Sequence, residues 1–74
     1  MKGGEIMVMR PVSSSNLASV GYENQVLRIA FRSGAIYEYT GVPKSVYLGL
    51  LSSPSLGKYF HANIKNVFPC RRVG

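Results

Sequence analysis

Gln25-Val26-Leu27-Arg28-Ile29-Ala30-Phe31-Arg32-Ser33-Gly34-Ala35-Ile36-Tyr37-Glu38-Tyr39 is the stretch that decides the fold. Two runs rich in β-branched and aromatic residues flank Arg32-Ser33-Gly34, so the segment reads as a β-hairpin. A three-residue loop ends with a residue in the left-handed backbone region, which Gly34 enters without a steric cost. Phe31 then faces Ala35, and counting outward sets Ile29 beside Tyr37, Arg28 beside Glu38 and Leu27 beside Tyr39. A two-residue loop would bring Glu38 beside Ile29 on the face expected to be buried.

Upstream, residues 17–22 read as a further strand, joined by a turn at Glu23-Asn24 that sets Val20 beside Leu27 and Ala18 beside Ile29. One face of this meander carries Ala18, Val20, Leu27, Ile29, Phe31, Ala35, Tyr37 and Tyr39. Its other face carries Ser19, Val26, Arg28, Ala30, Ile36, Glu38 and Thr40. Residues 1–4 read as a disordered tail and residues 5–9 as a short edge strand that Pro11 ends. Downstream, Pro43 suits the first turn of a helix whose apolar stripe is Val46, Tyr47, Leu50 and Leu51. Ser52-Ser53-Pro54 breaks it. Either Ser53 or Ser55 caps a second helix that buries Leu56, Phe60 and Ile64 and ends near Asn66. Val67 and Phe68 resume an extended segment broken by Pro69. The expected class is α+β: a small antiparallel meander of three strands, extendable to four or five, then two short helices and a C-terminal extended segment. Residues 1–11 form a tail or edge strand, and residues 12–74 a single domain.

At 74 residues the chain buries only about 60% of the surface its unfolded form exposes, enough for one core. The 46% hydrophobic content supports that core. Cys70 is the one cysteine, so no internal disulfide staples the fold, which suits a reducing cytoplasm. No apolar run approaches the roughly 18–20 residues of a membrane span, and residues 1–4 contain no signal-peptide core, so no membrane partner is expected. Nine Lys and Arg stand against Glu5, Glu23 and Glu38, with no Asp, for a net charge of +6. An excess of this size draws in phosphates and polyanions, although it also serves ordinary solubility.

The inventory argues against an enzyme. His61 has no Asp to orient it, the three glutamates are scattered, and His61 with Cys70 gives two ligands where zinc sites use three or four. Neither a metal nor a cofactor is expected. Tyr37 and Tyr39 project from one strand face, which serves either as a stacking platform for bases or as core packing with exposed hydroxyl tips. Ser55-Leu56-Gly57-Lys58 combines free helix-start N–H groups, a close backbone approach at Gly57 and the Lys58 charge, a candidate contact for phosphate. An ordinary capped helix accounts for the same residues. Lys65, Arg71 and Arg72 extend this basic surface if the C-terminal segment folds back alongside the helix. Arg28, Arg32 and a hydrogen bond from His61 complete the candidate anion site.

Ser19-Val20-Gly21-Tyr22, Leu27 through Gly34, Tyr37-Glu38-Tyr39, Val42-Pro43 and Ser55 through Lys65 together resemble the KTSC domain, over about residues 12–72. That domain occurs at the C-terminus of some lysyl-tRNA synthetases and as small stand-alone bacterial proteins. The resemblance implies a suggested RNA-binding role, with Tyr37, Tyr39, Ser55, Gly57, Tyr59 and Phe60 fitting its pattern. It also implies Asn where this chain has His61, so a contact made from that position differs here. The leading expectation is a non-catalytic module that binds nucleic acid, RNA favoured, through Lys, Arg and tyrosines. If about four cations meet phosphates, log K falls by about 3–4 per decade of salt. Two alternatives stand beside it: a homo-oligomer sequestering a nucleotide or cyclic nucleotide messenger, and a protein-interaction module using the second sheet face.

Overall fold

The computed structural model describes residues 7–74, so the tail expected at residues 1–4 and the start of the strand expected at residues 5–9 lie outside the described residues. Five strands, β1 (Arg10–Pro11), β2 (Leu17–Glu23), β3 (Val26–Phe31), β4 (Ile36–Thr40) and β5 (Cys70–Arg72), form one antiparallel sheet in chain order. Helices α1 (Lys44–Ser52) and α2 (Leu56–Asn63) follow β4 and pack on one face of it.

The hairpin of β3 and β4 has the expected register, with Ile29 opposite Tyr37, Arg28 opposite Glu38 and Leu27 opposite Tyr39. Gly34 takes φ +103°. Phe31 N donates to Ala35 O at 2.8 Å, and Gly34 N donates to Phe31 O at 2.9 Å, closing the three-residue loop.

The first hairpin corrects the expected register by two residues. Its turn is Asn24-Gln25, both at positive φ (51° and 64°), not Glu23-Asn24, and Val20 therefore faces Ile29 while Tyr22 faces Leu27. Two left-handed residues in a row twist with the flanking strands, which is why this turn wins despite lacking the usual glycine. A shift of two keeps every side chain on its face. A bulge between Leu17 and Ser19 adds a second correction: Leu17, not Ala18, turns into the core and is fully buried. The larger side chain gains more from burial.

At the N-terminal end, Met7 to Met9 are not in a strand, and the edge strand is instead Arg10–Pro11, paired opposite Val20 and Ser19. Pro11 takes part because an edge strand turns alternate N–H groups to solvent, where a missing donor costs nothing.

Leu17, Val20, Leu27 and Ile29 of the sheet meet Val42, Leu50, Phe60 and Ile64 in a single core. Burying one such side chain contributes about 1.5–3 kcal/mol. Tyr22 stacks on Tyr47 with ring centroids 4.9 Å apart and donates from its hydroxyl to Val42 O at 2.6 Å, tying α1 to the sheet. Phe60 ties down α2 by edge contacts to Phe31 (5.5 Å) and Tyr39 (5.6 Å). Pro43 is the residue before α1, and Ser55, not Ser53, caps α2.

Helix α2 stops at Asn63, three residues before the expected end, and Asn66 sits at φ +62° in the following turn. Val67 and Phe68 belong to that turn and are not extended. Strand pairing resumes at Cys70, where β5 lies against β4, and Val73 N continues it by donating to Ile36 O at 2.7 Å. No helix among the described residues is long and apolar enough to cross a membrane.

Candidate anion-binding groove

Ser14 folds the loop before β2 on itself: its Oγ accepts from Asn16 N (3.2 Å) and Leu17 N (3.3 Å). Arg32, in the β3–β4 turn, donates from Nε to Ser14 O at 2.7 Å, which pins the loop beside that turn. Opposite stands the start of α2, where Ser55 Oγ accepts from Lys58 N at 3.3 Å. Between them runs a groove of about 670 Å³ lined by Ser13, Asn16, Ser55, Gly57, Lys58 and His61 among others. A methyl group added at Gly57 would meet nothing closer than Asn16 Nδ2 at 3.7 Å, so this backbone is open to a ligand's close approach.

Past Asn16, Gly57 and His61 the groove continues into a recess of about 710 Å³. Phe31, Tyr37, Tyr39 and Phe60 wall it, while Arg32 and Lys65 bring positive charge. Among the described residues, no carboxylate lines either part.

The structure thus brings together Arg32, Tyr37, Tyr39, Ser55, Gly57, Lys58, His61 and Lys65 from the sequence-derived set. Three arginines stand apart. Arg28 lies on the opposite sheet face, where Nε (2.9 Å) and Nη2 (2.5 Å) both reach Glu38 Oε2. Arg71 shares that face, 3.9 Å from Glu38 Oε1, because β5 pairs with β4 instead of folding back beside α2. Arg72, opposite Tyr37 in the edge strand, is on the recess side of the sheet but does not line the recess, and its Nε donates to Gly74 O at 2.9 Å. The basic residues therefore divide between two faces, and Glu38 already neutralises part of the outer one.

Sequence reasoning missed Ser13, Asn16, Phe31 and Cys70 as groove residues. The run Ser13-Ser14-Ser15-Asn16 is legible as a loop, but no local signal says that a helix start forty residues later faces it.

The two tyrosines differ in burial. Tyr37 is half-buried on the recess wall, and Tyr39 is core, 4% exposed. Burial, with smaller contributions from the neighbouring Cys70 thiol and Tyr37 phenol, pushes the Tyr39 pKa up to about 12 from 10.0. Between those two values the folded chain keeps a proton that the unfolded chain has lost. Stability from this group is therefore complete below pH 10 and falls as the pH rises toward 12. Urea midpoints measured across that window should drop for the wild type and fall less steeply for Tyr39→Phe. Equal slopes would place the titration elsewhere.

Among the described residues no three His, Cys, Asp or Glu side chains come together as a metal site. The KTSC domain model matches residues 13–68. A crystal structure of a KTSC domain protein from Yersinia pestis superposes with a TM-score of 0.90 at 41% identity, over 93% of this chain and 100% of that one. An uncharacterized protein of Stutzerimonas stutzeri is 45% identical over 56 residues, 73% of this chain and 79% of its own length. A lysine–tRNA ligase of Nostoc sp. is 50% identical over 44 residues, which is 60% of this chain and 8% of the ligase.

Proposed function

This chain belongs to the KTSC domain family, and on that premise we propose that it is a non-catalytic module that binds single-stranded RNA along the groove. The observation that carries this is the composition of one surface: Arg32, Lys58 and Lys65 line a continuous groove with an aromatic recess and, among the described residues, no carboxylate. Cations track a phosphate backbone, and aromatic walls accept bases that are not already stacked in a duplex. Open N–H groups at the start of α2 add donors for a phosphate oxygen. A related segment within a lysine–tRNA ligase, a protein whose name states that it acts on a tRNA, is in keeping with an RNA partner.

Three cations on the groove lower the expected salt dependence from the value for about four. For a single strand, log K should fall by about 2 per decade of salt, so affinity should drop about twenty-fold between 50 and 200 mM. Anisotropy titrations of a short single-stranded RNA and of its duplex, at both salt concentrations, check this. Salt-independent binding, or a preference for the duplex, would overturn it.

A further inference from the structure

Tyr39 is buried to all but 4% of its surface, yet it lines the recess. Its hydroxyl has no hydrogen-bond partner among the described residues. Tyr22 shows the contrast, since its hydroxyl donates to Val42 O at 2.6 Å. A hydroxyl at the tip of an otherwise buried ring that lines an open recess takes its hydrogen-bond partner from whatever occupies that recess. Nothing about the fold requires the hydroxyl here, because a phenylalanine would fill the same space. The hydroxyl also keeps its proton at neutral pH, so it is available as a donor.

The surrounding shape limits what can come to it. Phe31 is steeply inclined to both Tyr37 (79°) and Phe60 (69°), so the rings form a corner instead of filling the space by stacking. A recess of about 710 Å³ lies within the roughly 300–1,000 Å³ of ordinary ligand pockets, which is room enough for a base. The aromatic corner offers ring faces to a planar base, while Asn16, Ser33 and Asn66 on the same recess offer polar groups to the sugar attached to it. The charges sit outside the corner, on Arg32 and Lys65, and on Lys58 beyond His61.

Resting on the assignment of the groove to RNA, we propose that the recess is a subsite for one unstacked nucleobase, whose edge accepts a hydrogen bond from Tyr39 while its phosphate meets Lys58 and the open turn at Ser55 and Gly57. The chemistry recognised is a base joined to a phosphate, which a polymer or a free nucleotide can supply.

Wild type and Tyr39→Phe are titrated with a short single-stranded RNA, with the same backbone lacking its bases, and with a nucleoside monophosphate, and both proteins are melted. Wild type should prefer the intact strand to the abasic one by about tenfold. Tyr39→Phe should reduce that preference by about threefold, the share of one hydrogen bond, bind the abasic strand as wild type does, and melt no lower than wild type. Equal affinity of wild type for both strands overturns the base subsite and leaves salt-dependent RNA binding standing. An undiminished preference in Tyr39→Phe overturns the role of the hydroxyl. A nucleoside monophosphate bound as tightly as the strand supports the subsite and overturns the polymer assignment. Absence of binding by all three probes overturns both.

Discussion

Phe60→Ala is expected to leave much of the chain unfolded at physiological temperature. Phe60 is 4% exposed and is the residue through which α2 meets both Phe31 and Tyr39 of the sheet. Truncating a buried phenylalanine costs about 3–5 kcal/mol, because the apolar transfer is lost and a cavity remains. A chain of this length has a total stability of only about 4–11 kcal/mol, and no disulfide constrains its unfolded state. The midpoint of a thermal melt followed by circular dichroism should fall by about 15–30 °C. A shift of less than about 5 °C would mean that α2 docks without this anchor. The groove would then owe its shape to Leu56 and Ile64. Losing α2 should also abolish ligand binding, since Lys58, His61 and the Gly57 turn ride on it.

Charge removal in the groove should produce the second large effect. At about 50 mM salt each cation–phosphate pair on a single strand is worth close to tenfold in affinity, so Lys58→Gln combined with Lys65→Gln should weaken RNA binding roughly 50-fold. The slope of log K against log salt should shrink by about 1.4, or 0.7 for each cation removed. Arg71→Gln removes a cation of the same sign from the outer sheet face, where it is 77% exposed near Glu38. It should change affinity by less than about twofold, with stability altered by no more than about 0.5 kcal/mol. Because the comparison holds the type of change constant and varies only the face, net charge alone cannot account for it. Equal effects from the two faces would show that the protein attracts RNA as a diffuse cation and not through this groove.

Much of the architecture is readable from short-range signals. Gly34 sits where a left-handed residue is needed, and the period-two alternation on either side of it places Leu27, Ile29, Tyr37 and Tyr39 on one face, as found. Ser55 capping α2 and the spacing of Leu56, Phe60 and Ile64 are equally local. The first hairpin departs from its expected register because Asn24-Gln25 carries no glycine, so its two left-handed residues leave no compositional mark. The bulge that substitutes Leu17 for Ala18 in the core is hidden for a similar reason, since it depends on what the opposite layer has room for.

Alternation, capping and turn preference act between residues a few positions apart, and from them the chain alone determined its class, its central hairpin, its helix faces and its excess of positive charge. Which cations share a surface was decided only in three dimensions. β5 joins β4 through backbone hydrogen bonds that any residue can make, so no side-chain pattern announces the pairing. That pairing sends Arg71 to Glu38 and Arg72 to the sheet edge. The serine loop and the start of α2, distant in sequence, are left to close around Gly57 because the shared core beneath them holds both in place.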